Sequence, residues 1–485
     1  MIIYNIRNIE FKIKKKSNYN KVYFSKQFNY IWNKQKILIL ILLLINYIYI
    51  IFIKEKLQLN NDFLKIQKDL KFKFQKKLIN KIKIAIYCRN IKNGGVERLT
   101  SILLNNLNKM KVFNIYLFTI LNKEDDEYII PETIQRIIIK VVKIKYLIIN
   151  INKKKLDIFI YQFYNAKEIL ILNKLKKTKT IFYNHSSFLI WIYSKNYYMF
   201  NTTYKEYANS KNVISIIPFE NDFLFKKWGI NSILMDNFMT FELELIKPSN
   251  LTSKIILMIG RASDKYKRFF LGIQAMEYII QIIQECNMKI ISNMNDTFGL
   301  QNLILNLNIS NYIELVGYIN KIDIYLSNAS LHIFPTISEA FPMVLCETKI
   351  FGIPNILIGI DYVAMSSGGT IIIYDDSPEY ISKVAINILK NDKYRKILGK
   401  QARLSMKNFN NLKLTKRWVL LILFIYNDYN YNYYQKLMNQ DKEISYKNSL
   451  DILKNQVILL KKRKSKFENI TVNNLLNFTF LQNLI

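Results

Sequence analysis

Residues 331–354 read LHIFPTISEAFPMVLCETKIFGIP, and the order of residue types in this stretch decides the kind of sheet the chain builds. LHIFPT (331–336) is apolar on both faces, as a parallel strand covered by helices on each side must be. A short loop follows, then Pro342, which suits the first turn of a helix because an N–H missing there has no intrahelical partner to lose. Gly352 and Pro354 stop that helix. Strand, loop, helix and stop form one unit of an α/β sheet. The unit carries two carboxylates, Glu339 in the loop at the strand's carboxyl end and Glu347 about a turn and a half into the helix. Eight residues of helix rise about 12 Å, beyond the roughly 5 to 9.5 Å at which two carboxylates flank one glycosidic bond. A hydrolase acid/base pair is therefore disfavoured. Two acids holding separate hydroxyl-bearing parts of one extended ligand fit the spacing, against the plainer alternative of a capping carboxylate and a surface glutamate.

The same strand-then-helix rhythm runs outward in both directions. Strands are expected at 83–88, 114–120, 156–161, 180–184, 214–219 and 232–238, and again at 254–260, 288–293, 312–318, 331–336, 355–360 and 370–374. Helical faces lie between them, for example Val96, Leu99, Leu103 and Leu107 at spacings of three and four. The pattern predicts two doubly wound domains in tandem, 81–247 and 248–408, with the break near Lys247-Pro248-Ser249.

Four segments at predicted strand ends carry chemistry, where open α/β sheets bind ligands. KNGGVERLT (92–100) puts Gly94 and Gly95 between strand and helix, where the backbone can approach a ligand and the helix dipole points at it. IGRASDKYKRF (259–269) offers Arg261 and Lys267 for a diphosphate, the guanidinium gripping two oxygens and the ammonium acting as a mobile point charge. YNHSS (183–187) places His185 after a strand of the first domain. The fourth is the opening segment with Glu339 and Glu347. Against each stands an ordinary reading: a tight connection, a solvated basic loop in a chain with 71 Lys and Arg, or a core histidine. The second histidine, His332, lies inside a strand and is expected in the core.

Taken together, Gly260-Arg261, Lys267, Gly317-Tyr318, Ser338-Glu339-Ala340-Phe341, Glu347 and Gly352-Ile-Pro354 resemble, in order and spacing, retaining glycosyltransferases of family 4 with the GT-B fold (glycosyl transferases group 1). The resemblance runs from about Lys81 to Arg403. It implies an α/β fold of two facing Rossmann-like domains, an amino-terminal acceptor domain and a carboxyl-terminal nucleotide-sugar donor domain. It further implies transfer of a sugar from a nucleoside diphosphate, with retention and without a protein nucleophile, to a glycan or lipid-linked acceptor. Arg261 and Lys267 would neutralise the donor diphosphate, and Glu347 would hold the ribose. Glu339, with Ala340, Phe341 and Met343 beside it, would hold the donor sugar. Gly94 and Gly95 would close over the phosphates, and His185 would stand near the reactive carbon, making His185 and Glu339 the expected catalytic pair. No cofactor or metal is implied beyond the donor itself, and no Asp-x-Asp triplet occurs. Departures are Ala340 and Pro342 where glycines are common, and Arg268 in place of a glycine, which would add charge near the phosphates. A GT-B protein that binds nucleotide or scaffolds a membrane complex without transferring sugar is the alternative.

Composition narrows the rest. The net charge of +35 accompanies a Lys/Asn/Ile/Tyr bias along the whole chain with no separate basic domain, which reads as drift rather than a nucleic-acid footprint. Three widely spaced cysteines make neither a disulfide framework nor a CxxC metal pair. Residues 37–53, ILILILLLINYIYIIFI, have one strongly polar member (Asn46) and lysines at both ends. A helix of that length reaches about 25 Å, enough for a thin bilayer. The expectation is a basic tail (1–36), a single transmembrane helix (37–53) and a charged linker (54–80). With it goes an endoplasmic-reticulum or other endomembrane location. Orientation stays open, because nine Lys/Arg precede the span while the nearest twenty residues hold four before it and six after it. Residues 409–485 are expected as a helical, basic tail.

Overall fold

The structure, a computed structural model, describes residues 81–428 apart from 93, 125, 140–143, 188–196, 218–223, 225–227, 231, 265, 294–297, 320, 338 and 359–367. The predicted basic tail, transmembrane helix and linker (1–80) lie outside the described residues, as do residues 429–485. Among the described residues no helix is long and apolar enough to cross a membrane.

The first sheet has seven strands: β1 (Ile82–Tyr87), β2 (Phe113–Thr119), β3 (Gln135–Ile138), β4 (Ile158–Tyr161), β5 (Lys179–Tyr183), β6 (Val213–Ser215) and β7 (Ser232–Leu234). Their order is β3-β2-β1-β4-β5-β6-β7, every pair parallel. Helices α1 (Gly95–Lys109), α2 (Ile144–Lys154), α3 (Ala166–Leu172) and α4 (Tyr197–Ala208) connect them. The central strand β4, IFIY, is buried at all four positions, which is why its sequence shows no alternation.

The second sheet has six strands: β8 (Ile255–Ile259), β9 (Asn287–Ile291), β10 (Ile313–Leu315), β11 (Leu331–Phe334), β12 (Asn355–Ile358) and β13 (Thr370–Ile373). The order β10-β9-β8-β11-β12-β13 is again wholly parallel, the doubly wound pattern that reverses direction between its first and fourth strands. Its helices are α5 (Phe269–Ile282), α6 (Phe298–Asn306), α7 (Asp323–Leu326), α8 (Met343–Ile350), α9 (Pro378–Lys390), α10 (Asp392–Ser405) and α11 (Asn411–Tyr426). A core of α5, the inner strands and α9 joins Met258, Ile273, Met276, Ile333, Ile356 and Ile388, all at 0 % exposure. Both sheets belong to one compact unit.

Each of the twelve segments expected as strands contains one; β3 was missed. It is a four-residue edge strand with no fully buried position, so burial leaves no apolar pattern to read. Local chemistry explains the helix limits. Ser377, Asn391 and Asn410 cap α9, α10 and α11 by accepting from the third backbone N–H beyond them. Pro342 precedes α8 as its cap rather than occupying its first turn. Gly352, at φ +72°, ends α8 with Ile353 N–H donating to the Thr348 carbonyl.

Beyond residue 408 the chain turns back to the first domain. Helix α11 buries Trp418, Leu421 and Ile422 completely, and the Trp418 ring meets Tyr183 edge-on at 5.2 Å. Arg417 donates to the Leu234 carbonyl at 2.9 Å, and Lys179 donates to the carbonyls of Ile425 and Tyr426 at 2.8 and 3.0 Å. The second domain's last helix is thereby part of the first domain's core.

Candidate active site

The ends of β1, β5, β8 and β11 face one cleft of about 430 Å³, inside the range of small-molecule sites. All ten residues singled out in the sequence line it: Gly94, Gly95 and His185 from the first domain, and Arg261, Lys267, Glu339, Ala340, Phe341, Met343 and Glu347 from the second.

On the first-domain wall, α1 begins at the cleft with Gly94 as its cap, a residue with no side chain to bond the amides of the first turn. A Cβ at Gly94 would overlap the Glu97 carboxylate, whereas one at Gly95 would meet nothing within 4 Å. A side chain at Gly94 would have to displace the Glu97 carboxylate, and Gly95 keeps the approach to the helix end open. Fifteen residues of aligned peptides leave a partial positive charge there. Glu97 has its carboxyl pushed up, mainly by burial, with Arg261 pulling it back down.

Opposite, Gly260 sits at φ +153°, where a side chain is strained, and a Cβ would lie 3.4 Å from the Phe269 ring. The loop it begins carries Arg261, whose side chain is 68 % exposed with Asp264 at 3.9 Å, so its guanidinium can turn to an incoming anion. Lys267 is half-buried, pairs with Glu339 and lies 5.4 Å over the Phe334 ring. Arg268 corrects an expectation. It does not line the cleft. Its guanidinium is buried, donating to the Pro335 carbonyl at 2.8 Å and to Asp376 at 2.5 Å. Its backbone is left-handed (φ +48°), the conformation that favours glycine, and these bonds offset that strain.

Glu347 is completely buried and bridges the domains. Its Oε1 accepts from Arg98 of α1 at 2.5 Å and from Thr240 at 2.7 Å, while Oε2 has no partner among the described residues. The Arg98 guanidinium also lies 5.2 Å over the Tyr128 ring, and the Glu347 charge beside it raises its already high pKa. Tyr128 in turn bonds Tyr318, whose hydroxyl is pushed up by burial first and by that bond second. Arg98, Tyr128 and Thr240 were not identified from sequence. Arg98 stands four residues after the first glycine of KNGGVERLT, but only the fold shows that its partner is 249 residues away.

His185 is half-buried, its ring centroid 3.9 Å from that of Tyr183, and burial pushes its pKa down to about 3. It is neutral at physiological pH. Tyr183 donates to Asn237 Oδ1 at 2.9 Å, and Asn237 lines the same cleft. His332, by contrast, is a core residue at 0 % exposure, bonded through Nδ1 to Asn355 at 2.7 Å. Among the described residues no group of three or more His, Cys, Asp or Glu is placed to hold a metal ion.

The fold is similar to that of the sucrose-phosphate synthase of Thermosynechococcus elongatus. That structure matches with a TM-score of 0.61 at 14% identity, over 72% of this chain and 100% of that one. The fold is GT-B. Anabaena HepE, solved in complex with UDP and glucose, shares the GT-B arrangement at a TM-score of 0.56 and 10% identity, over 70% of this chain and 98% of that one. Residues 242–405 match the family described as Glycosyl transferases group 1, so the matched part is the second GT-B domain. An uncharacterized glycosyltransferase of Haemophilus influenzae is 22% identical over 198 residues, 40% of this chain; the chain spans about half (55%) of that relative's length.

Proposed function

We propose that this chain is a retaining glycosyltransferase that moves a sugar from a nucleoside diphosphate to an acceptor. The observation that carries this reading is the convergence, in one cleft between two nucleotide-type domains, of the α1 amino terminus, Arg261 and Lys267 with Glu339 and Glu347. Cations and a helix end suit the diphosphate, the part of the donor that gains charge as the sugar departs. The ten residues in the cleft come from four strand ends, so the donor would be held along its length rather than at one point.

In this reading Arg261 swings onto the phosphates and Lys267 leaves or shares Glu339 to stabilise the departing diphosphate. Glu339 and the amides beginning α8 position the donor sugar, with Ala340, Phe341 and Met343 shaping its pocket. Glu347 presents Oε2 to a ribose hydroxyl while Oε1 stays with Arg98 and Thr240. His185, neutral, accepts a hydrogen bond rather than carrying charge. No side chain then needs to attack the sugar; the acceptor hydroxyl enters on the face that the diphosphate leaves, consistent with retention. HepE was solved with UDP and glucose, which supports a nucleotide-sugar donor here. Residues 37–53 would supply a membrane anchor in this proposal, which suits a lipid-linked acceptor, with a glycan as the other acceptor class.

The test is release of nucleoside diphosphate across a panel of donors by protein lacking residues 1–60, compared with Lys267→Ala and Glu347→Ala. Turnover that falls at least about a hundredfold in Lys267→Ala is expected from loss of leaving-group stabilisation. Unchanged turnover in both variants would reject the assignment.

A further inference from the structure

The His185 ring has two nitrogens, and the structure accounts for one of them completely. His185 Nε2 lies 2.9 Å from Oε1 of Gln162, a side chain only 2 % exposed just past the end of β4. The amide nitrogen of Gln162 donates to Thr100 Oγ1 at 2.9 Å and faces the Tyr87 carbonyl at 3.4 Å. Thr100, itself fully buried, donates its own proton to the Val96 carbonyl at 2.7 Å in the first turn of α1. That leaves the Thr100 oxygen only as an acceptor for Gln162. A flipped Gln162 amide would set its oxygen against the Tyr87 carbonyl, acceptor against acceptor. The orientation is therefore determined, and Oε1 must receive a proton from the histidine.

We propose that Gln162 is a positioning residue that fixes His185 as the Nε2-protonated tautomer, so that Nδ1 is the ring's acceptor for a hydroxyl of the sugar or acceptor in the cleft. The relay runs from the α1 end, through Thr100 and Gln162, to a ring that lines the site. Nδ1 has no hydrogen-bond partner among the described residues, and the Tyr183 ring packs against the imidazole and restricts its rotation. With neutral glutamine as partner, burial keeps the ring uncharged, so the site is offered a lone pair and not a cation. This inference rests on the transferase reading for its purpose, though not for its geometry.

The test exploits the presence of only two histidines in the chain. His332 donates from Nδ1 to Asn355 Oδ1, because the Asn355 amide nitrogen is committed to the Ile353 carbonyl at 2.8 Å. Nitrogen-15 histidine spectra of the full chain should therefore show two neutral rings of opposite tautomer, with the Nε2-protonated one absent in His185→Gln. Gln162→Glu should bring the His185 titration up toward the ordinary range, so that turnover, flat in the wild type between about pH 6 and 8, falls toward acid pH. Gln162→Leu should lower kcat at least tenfold with donor KM within about twofold, since it touches neither ribose nor phosphates. A wild-type His185 protonated on Nδ1, or a Gln162→Leu enzyme with unaltered kcat, overturns the proposal. If Gln162→Leu fails to fold, the wild-type spectrum and Gln162→Glu still decide. Absence of any transfer by the wild type would sink the transferase reading instead, leaving the tautomer measurement to judge Gln162.

Discussion

Replacing Arg98 by methionine would remove the only cation, among the described residues, bonded to a carboxylate that is otherwise sealed from water. The Glu347 side chain is 1% exposed and that of Arg98 17%. Breaking a buried pair by deleting one partner costs about 3–5 kcal/mol, because the remaining charge keeps its desolvation cost and loses its compensation. Thr240 still donates to the same oxygen, so the lower end, about 3 kcal/mol, is expected at pH 7. Glu347→Gln alone should cost about as much by leaving a buried guanidinium poorly paired. The double variant Arg98→Met/Glu347→Gln should then recover at least about 2 kcal/mol of the sum, the mark of a direct interaction. Urea unfolding at fixed pH measures each corner of the cycle. If the two single substitutions add within about 0.5 kcal/mol, the pair does not join the two domains energetically.

Two further outcomes test the packing around the cleft. Lys349 is buried and its pKa is lowered to about 8 from 10.5 by desolvation; between those values the unfolded chain holds a proton that the folded chain lacks. Stability should therefore rise with pH from about 8 toward 10, and Lys349→Met should remove that slope while stabilising the protein by up to about 3 kcal/mol at pH 7, read from unfolding curves. Gly260→Ala would place a Cβ 3.4 Å from the Phe269 ring at φ +153°. It should cost about 1–3 kcal/mol and raise donor KM more than it lowers kcat; an unaltered KM would show that this backbone does not set the phosphate loop.

The doubly wound sheets were legible because parallel strands buried on both faces announce themselves as apolar runs, as IFIY of β4 and LHIF of β11 do. The site was legible because its glycines, cations and acids stand just past those runs, at fixed short offsets from a strand end. What escaped was everything decided by contacts between distant segments. The partner of Glu347 is on α1, and nothing in KNGGVERLT marks Arg98 as more than a solvated basic residue. Gln162 follows a strand like many polar residues, and its role depends on Thr100, 62 positions away. Arg268 misled for the opposite reason: its neighbours in sequence are the residues expected to meet the diphosphate, while a left-handed backbone directs its side chain to Asp376.

The contacts of Arg98 and Gln162 that escaped both involve the first turns of α1. Gly94 and Gly95 open that helix onto the cleft, Val96 receives the end of the His185 relay, Arg98 reaches across to Glu347, and Thr100 carries Gln162. These five residues at the start of α1 thus meet the cleft, the relay to His185 and the Glu347 carboxylate. A donor that engages Glu347 Oε2 does so on a carboxylate already tethered to α1, and a hydroxyl that engages His185 meets a ring oriented from the same helix. In the proposed reading, donor binding in the second domain and the reacting centre in the first would be linked through a single rigid element. A substitution within α1 should therefore alter donor affinity and turnover together, whereas one in the Arg261 loop should act chiefly on the diphosphate.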